Sequence, residues 1–294
     1  MDQGIKDLIA RYDKSLQIIS CNKLFGGVSS EMHIVELKGS KNFKKVVTRT
    51  HNSAYRMPIQ LEAKVLNKLR QKQIKVPKIL FNDDKYILME WINAKPIYTF
   101  KNFTYKVINQ YVEKLIKIHS IKSNDLELSF LKTEHEVIND RLNLDHPIDH
   151  SMREPMILEE LSKLSIPKFS DSRLLHGDPW PGNILWNNGE LFSVVDWEQP
   201  CVGCPLWDLS ILRLDVLWMF GQSTMDKITD LYFQKSGLSR DNLYIWDLYS
   251  SIRPLGRVSV WGGGMKDLGR PDIDANKMRQ CHAFFVDNAL SNMK

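Results

Sequence analysis

The sequence has few cysteines and no long apolar run. Its 294 residues include four cysteines, at positions 21, 201, 204 and 281. Cys201 and Cys204 have metal-ligand spacing, but no second Cys/His pair lies at a matching separation, which disfavours structural zinc. Pro200 and Pro205 indicate a loop, which disfavours a redox pair. We expect free thiols in a reducing compartment.

Signals for membrane insertion and secretion are also missing. No stretch approaches the ~18 consecutive apolar residues of a membrane-spanning helix. Residues 1–14 carry charges throughout and lack the apolar region of a signal peptide. The composition, 43% hydrophobic and 26% charged, is typical of a folded protein rather than a disordered one. We expect a cytoplasmic protein of one or two domains with no membrane partner.

The net charge of +5 is concentrated in the N-terminal third. Residues 1–92 hold 17 Lys and Arg against 9 Asp and Glu, whereas the remainder holds 23 against 26. These basic residues are scattered among strand-like apolar positions without interleaved aromatics, so no nucleic-acid partner is expected. Either they form a solvated surface, or their field attracts a polyanionic small ligand.

The first 92 residues have the pattern of a small sheet with one inserted helix. Residues 31–37 and 43–49 are short β-rich runs separated by a turn signal. Pro58 opens a helical pattern that ends before residue 76. Residues 86–92 form an apolar run typical of a buried strand.

The pattern becomes helical from about residue 100. Residues 121–172 are polar with several helical pieces, and their arrangement stays open. A strand over 191–195 interrupts, and helices follow from Leu206. The simplest architecture is two lobes that meet near residues 91–94.

The segment from His176 to Glu198, HGDPWPGNILWNNGELFSVVDWE, contains the most informative motif. Asp178 and Asn183 lie in a loop rich in Gly and Pro, and a predicted β-hairpin carries Asp196. Because a hairpin brings its two ends together, Asn183 and Asp196 are expected to converge. Their oxygens, beside the Asp178 carboxylate, suit Mg²⁺, which binds few protein oxygens and completes its shell with water and phosphates.

The pattern HGD-x-x-x-x-N followed by a strand-borne Asp resembles the aminoglycoside phosphotransferase and choline kinase families, small-molecule relatives of the protein kinases. The resemblance implies an α+β, protein kinase-like fold of two lobes. Residues 1–92 would form a small β-rich, nucleotide-binding lobe, and residues 93–294 a larger, mainly helical lobe for catalysis and substrate binding. ATP, or GTP, and Mg²⁺ are the implied cosubstrate and cofactor.

Further motifs match the family in the correct order. The loop Leu24–Ser30 resembles the loop that covers the phosphates, and its nucleotide-binding candidates are Gly26, Gly27, Ser29 and Ser30. Glu62 resembles the residue that pairs with the phosphate-binding basic side chain. Met89–Ile92 resembles the linker that grips adenine, with Glu90 and Ile92 as candidates. Asp208 resembles a brace of the catalytic loop.

The resemblance assigns roles to the central residues. Asp178 would accept or orient the proton of the attacking hydroxyl, while Asn183 and Asp196 would hold Mg²⁺. His176 is interpreted as structural support. Trp180, inside the catalytic loop, and Glu198 are candidate substrate contacts.

The basic residue of the third strand departs from the protein kinase pattern, in which it is Lys. Here Arg49 follows Val46-Val47-Thr48, and it is assigned to phosphate binding and to pairing with Glu62. Lys44 or Lys45 would replace it if the strand register were shifted.

The acceptor is predicted to be a small hydroxylated molecule. Residues 201–294 contain ten Asp, no Glu and eleven Lys and Arg, so they show no acidic bias toward polycationic aminoglycosides. A macrolide, a sugar or an amino alcohol fits as well. The alternative is a nucleotide-binding pseudokinase acting through a protein partner, although the base and both metal ligands are present. A protein kinase is disfavoured by the short segment between Asp196 and Asp208.

Overall fold

The computed structural model describes residues 2–24, 31–50, 57–99, 103–126 and 128–293. The chain divides into two compact units. The smaller comprises Met1–Lys95 and Phe192–Gln199, and the larger comprises Pro96–Leu191 and Pro200–Lys294. No helix within the described ranges combines the length and the apolar character needed to cross a membrane.

The smaller unit contains an antiparallel five-stranded sheet of order β1-β2-β3-β5-β4. Its elements are α1 (Gln3–Tyr12), β1 (Gln17–Leu24), β2 (Met32–Lys38), β3 (Lys45–Thr50), α2 (Ile59–Gln71), β4 (Ile79–Asn82) and β5 (Tyr86–Glu90). A two-residue strand, β6 (Lys95–Pro96), follows. The strands and the helix expected from the sequence are therefore present, with ends shifted by one or two residues.

Apolar side chains cover both faces of the central strands. Val46 and Leu88 belong to one cluster with Ile5 and Leu8 of α1, whereas Val47 and Ile87 belong to another. Because neighbouring residues of a strand point to opposite faces, burial of both faces requires a continuous apolar run. That requirement explains the unbroken apolar pattern of β5.

Helix α1 was not predicted from the sequence. Ile5, Leu8 and Ile9 are nonetheless spaced along one helical face and are buried. Asp2 caps the helix by accepting a hydrogen bond from the Gly4 amide, and the Tyr86 hydroxyl donates to the same carboxylate over 2.9 Å. The helix is thus fixed by contacts with the sheet that lie far away in sequence.

The larger unit is mainly helical. Its elements are α3 (Tyr105–His119), α4 (Glu134–Leu142), α5 (Glu154–Ser162), β7 (Arg173–Leu175), β8 (Ile184–Asn187), β10 (Cys201–Gly203), α6 (Pro205–Phe220), α7 (Gln222–Ser236), α8 (Leu243–Ser250), α9 (Val258–Met265) and α10 (Ala275–Asn292), while β9 (Glu190–Val194) runs across the division between the units. Helices α4 and α5 occupy the region that the sequence left unassigned.

Helix α6 lies at the centre of the larger unit and contacts α7, α8 and α10. Every residue from Pro205 to Met219 is buried. A helix enclosed on all sides needs apolar residues all round, which accounts for the lack of amphipathic spacing in this segment. Its few buried polar residues include Asp208 and Asp215, and both are fixed by contacts described below.

The cysteine pair corrects one expectation. Cys201 lies in β10 and Cys204 is the N-cap of α6, so Pro205 begins a helix rather than flanking a loop. Burial raises the pKa of the Cys201 thiol well above its usual value and raises that of Cys204 to about 12. Both are free thiols, as expected, and burial opposes the thiolate that redox chemistry requires.

Candidate active site

The HGDPWPGN segment forms the loop between β7 and β8 and is tied down by Asp208 in the first turn of α6. The Asp208 carboxylate accepts hydrogen bonds from the His176 amide over 2.6 Å and from the Gly177 amide over 2.9 Å. Gly177 has φ of +78°, a conformation that favours glycine. Together these features fix the start of the loop.

Asp208 also connects the loop to two more helices. Nε2 of His119, at the end of α3, lies 3.1 Å from the carboxylate, and Nδ1 of the same ring lies 2.7 Å from the hydroxyl of Tyr232 in α7. Asp208 is fully buried. A buried carboxylate needs several donors, and three groups face this one. These are the contacts required of a brace.

Asp178 is positioned through both carboxylate oxygens. Oδ1 accepts a hydrogen bond from Nη2 of Arg253. Oδ2 lies 3.4 Å from Nδ2 of Asn183, which donates more closely, over 2.9 Å, to the backbone carbonyl of Asp178. The Asp178 side chain is 18% exposed, so its carboxylate is fixed and still accessible.

The same bonds orient Asn183. Because its amide nitrogen donates to Asp178, its oxygen is turned away from the Asp178 carbonyl and retains its lone pairs for another partner. His176 is fully buried and its Nδ1 lies 3.3 Å from the Asp178 amide. The ring therefore contributes to the shape of the loop.

Trp180 stacks on Tyr98, with ring centroids 5.7 Å apart and planes 10° apart. Both rings are partly exposed. Gly182 makes the stack possible, because a Cβ at this position would lie 1.9 Å from Cζ2 of the indole. The Tyr111 hydroxyl donates to the carbonyl of Pro179 and fixes the backbone before the indole.

In the smaller unit, Arg49 is the centre of a buried ionic cluster. Its guanidinium pairs with Glu62 of α2 and, through Nη1, with Oε1 of Glu198 over 2.7 Å. Oδ1 of Asp196 lies 3.8 Å from the same Nη1. Arg49 is 4% exposed, whereas Lys44 and Lys45 are exposed. The structure therefore places Arg49, and neither lysine, beside Glu62.

Asp196 follows β9 in a left-handed conformation, with φ of +64°. Such a conformation is uncommon outside glycine, although Asp and Asn adopt it more readily than other residues. Its side chain is 36% exposed, in contrast to the buried Glu198. The two carboxylates of this short segment thus differ in exposure, although both lie near Nη1 of Arg49.

The other nucleotide candidates have less definite surroundings. Gly26, Gly27, Ser29 and Ser30 lie outside the described residues. Glu90 ends β5, and its Oε1 accepts from the Lys78 amide over 2.9 Å. The Ile92 carbonyl accepts from the Ala94 amide over 2.9 Å.

The structure groups the candidates into two sets. Asp178, Asn183, His176, Trp180 and Asp208 belong to the larger unit, while Arg49, Glu62, Asp196 and Glu198 belong to the smaller one. The chemistry of the oxygen donors fits Mg²⁺, which needs only one or two protein ligands besides phosphate oxygens. Clusters of three or more His, Cys, Asp or Glu with metal-binding geometry do not occur in the described ranges.

Sequence reasoning missed several residues of this site. Arg253 lies 75 positions after Asp178, and His119 lies 89 positions before Asp208. Neither belongs to a recognisable motif. Glu198 was considered for substrate rather than for Arg49. The nearest signal was the helical pattern from about residue 100, which contains His119 but does not reveal its partner.

Comparison with known proteins gives a consistent result. A macrolide 2′-phosphotransferase type I structure has a TM-score of 0.66 at 13% identity and covers 96% of this chain and 98% of its own. Choline kinase from Cryptosporidium parvum Iowa II has a TM-score of 0.61 at 13% identity, covering 99% and 95%. The streptomycin–ATP–APH(2″)-IIa ternary complex has a TM-score of 0.56 at 18% identity, covering 86% and 89%.

These structural likenesses confirm the expected α+β, kinase-like fold. A comparison with curated protein sequences found no match. The model of the phosphotransferase enzyme family matches residues 23–241, which is well over half of the chain and includes the HGDPWPGN loop, Asp196 and Asp208. The chain therefore belongs to the phosphotransferase enzyme family.

Proposed function

We propose that the protein transfers the terminal phosphate of ATP, or of GTP, to a hydroxyl of a small molecule in a Mg²⁺-dependent reaction. The observation that carries this proposal is the setting of Asp178. Its carboxylate is held by Arg253 and Asn183 in a braced loop and is still partly exposed. A fixed, accessible carboxylate is what a group that orients an attacking hydroxyl requires.

Asp178 accepts or orients the proton of the acceptor hydroxyl. The acceptor oxygen forms a bond to the terminal phosphorus, the bond from that phosphorus to the bridging oxygen breaks, and the nucleoside diphosphate leaves. Arg49 is assigned to the phosphates, and its pairing with Glu62 and Glu198 supports this role by holding the guanidinium in one orientation.

Asn183 and Asp196 are assigned to Mg²⁺, which, when bound, neutralises charge on the triphosphate. The Asn183 amide nitrogen is engaged by Asp178, and this arrangement supports the use of its oxygen as a ligand. One structural neighbour, the streptomycin–ATP–APH(2″)-IIa ternary complex, binds ATP, which supports a nucleotide cosubstrate. Residues 1–92, including Gly26–Ser30, Glu90 and Ile92, are proposed as the nucleotide-binding part and residues 93–294 as the catalytic part.

The acceptor is proposed to be a neutral or weakly basic hydroxyl compound with an apolar face. Residues 201–294 show no acidic excess. The stacked, partly exposed pair of Tyr98 and Trp180 lies in the same unit as Asp178 and offers a flat aromatic surface. Macrolides, sugars and amino alcohols share these properties to different degrees, and choline-like alcohols, whose fixed cation can bind an aromatic face, complete the panel.

The test measures nucleotide consumption with Mg²⁺ across aminoglycosides, macrolides, choline-like alcohols, sugars and homoserine, with product identified by the mass of one added phosphoryl group. Asp178→Asn should lower kcat about 100-fold or more while nucleotide binding is retained, because a general base contributes on this scale. Retained turnover in this variant would rule out the proposed role.

The pseudokinase alternative is not supported. Family membership and the presence of Asp178, Asn183 and Asp196 all favour an enzyme. Tight nucleotide binding without transfer to any acceptor of the panel would favour the alternative.

A further inference from the structure

Arg253 is the least expected neighbour of Asp178. It lies after α8, in the turn that leads to α9, and is 9% exposed. Nη2 donates to Oδ1 of Asp178, while Nη1 donates to Oδ2 of Asp215 in α6 over 3.0 Å. One guanidinium therefore serves two carboxylates, one accessible and the other buried.

Asp215 anchors the guanidinium. Its side chain is almost completely buried, and burial raises the pKa of its carboxyl to about 6 although the Arg253 charge opposes this rise. Because a guanidinium is planar, fixing Nη1 against Asp215 also fixes the direction in which Nη2 points. The orientation of Nη2 toward Asp178 therefore depends on Asp215, which makes no hydrogen bond to Asp178 itself.

The surroundings restrict the guanidinium further. The Trp261 ring lies beneath it, with the guanidinium carbon 5.6 Å from the ring centroid. The ring of Trp218 packs edgewise on Trp261 at 6.3 Å. Other charged or titratable groups around Arg253 and Asp178, from each neighbouring element, are Tyr111, Arg141, His176, Asp208 and Arg257. Arg253 is thus held by Asp178, Asp215 and Trp261 against the like charge of Arg141.

We propose that Arg253, anchored by Asp215, is a positioning residue that sets the orientation of the Asp178 carboxylate. It occupies Oδ1 and directs Oδ2 toward the acceptor hydroxyl. Arg253 acts through Asp178. This inference rests on the proposed role of Asp178.

The test compares Arg253→Met, which keeps an unbranched apolar stem and removes the guanidinium with its charge, with Arg253→Lys. Activity is measured as Mg-ATP hydrolysis by water and as transfer to the panel compound with the highest turnover. Arg253→Met should lower kcat about 100-fold with the KM for Mg-ATP unchanged, since misplacing a catalytic group by about 1 Å costs this much. Arg253→Lys should recover about 10-fold of this loss, because an ammonium can serve Asp178 but lacks the planar fork.

Arg213→Met is the matched control. Arg213 is an equally buried arginine in the same unit, paired with Asp247 over 3.0 Å and distant in the hydrogen-bond network from Asp178. It should lower thermal stability and leave kcat of the folded fraction unchanged. An equal loss of kcat in Arg213→Met, or an unchanged kcat in Arg253→Met, would overturn the inference.

The results for Asp178→Asn and Arg253→Met, taken together, separate this inference from the proposed function. If Asp178→Asn is inactive and Arg253→Met is fully active, the role of Asp178 stands and the role of Arg253 fails. If Asp178→Asn remains active, the proposed role of Asp178 fails, and the inference about Arg253 fails with it; if the wild type phosphorylates no compound of the panel, the proposed function fails. If Arg253→Met does not fold, the two single variants Asp215→Asn and Arg253→Lys form a second test. The inference predicts an altered Asp178 rotamer in their crystal structures. An unaltered rotamer in both variants contradicts the inference.

Discussion

Replacing Asp208 by Asn tests how the catalytic loop is held. The substitution preserves shape but leaves one acceptor oxygen and introduces an amide nitrogen. Oδ2 of Asp208 faces the His176 amide and His119, and Oδ1 faces the Gly177 amide. If the new oxygen occupies the Oδ2 position, the Gly177 N–H faces another donor. If the side chain is flipped, two donors lose their acceptor.

The expected cost follows from these contacts. A buried donor left without an acceptor costs about 1–3 kcal/mol, and the remaining bonds lose the assistance of a full negative charge. We expect Asp208→Asn to destabilise the larger unit by about 3 kcal/mol and to reduce turnover even in the folded fraction. Urea unfolding followed by far-UV circular dichroism measures the loss of stability. kcat, measured at urea concentrations below the unfolding transition, measures the loss of turnover.

The matched control is Asp230→Asn in α7. Asp230 pairs with Arg240 over 2.7 Å, but its side chain is 68% exposed, so its loss should have little effect. Wild-type stability and full turnover in Asp208→Asn would refute the bracing role. If Asp208→Asn and Asp230→Asn destabilised the protein equally, the loss of an acceptor for the three buried donors would not be the cause of the destabilisation.

Two other predictions concern packing and pH. Gly182→Ala places a Cβ 1.9 Å from the Trp180 ring, so it should displace the indole from Tyr98 and lower the free energy of unfolding by about 1–3 kcal/mol. Gly263→Ala is the control, because the space around its Cβ is open, and it should be neutral or stabilising. Thermal unfolding followed by tryptophan fluorescence compares the two variants. His282 is 1% exposed, its Nε2 lies 2.8 Å from the Ser251 carbonyl, and burial lowers its pKa from 6.5 to about 4. Between pH 6.5 and pH 4, His282 is therefore more protonated in the unfolded chain than in the folded one. The free energy of unfolding should fall by about 3 kcal/mol as the pH is lowered from 6.5 to 4. Urea unfolding at several pH values should show this loss in the wild type relative to His282→Gln; parallel curves would contradict it.

Local patterns predicted much of the fold because they reflect the environment of each element. The apolar run of β5 indicated a strand buried on both faces, and Pro58 marked the beginning of α2. Helices α4 and α5 were not resolved, because both are short with few buried positions and most residues of α4 are polar. Helix α1 was missed although its apolar spacing is regular, since the buried residues of its cluster on the sheet, such as Val35, Val46 and Leu88, lie more than twenty residues away.

Local sequence was enough to predict the class of chemistry. The spacing of Asp178, Asn183 and Asp196 is a local property of one segment, and it is sufficient to indicate the phosphotransferase family. Tertiary structure alone decided which groups hold those residues. The contacts in question join side chains that are distant in the chain or lack a motif. They are Arg253 with Asp178, Glu198 with Arg49, and His119 with Asp208. Such pairings arise from packing, which brings together positions that no periodicity or spacing relates.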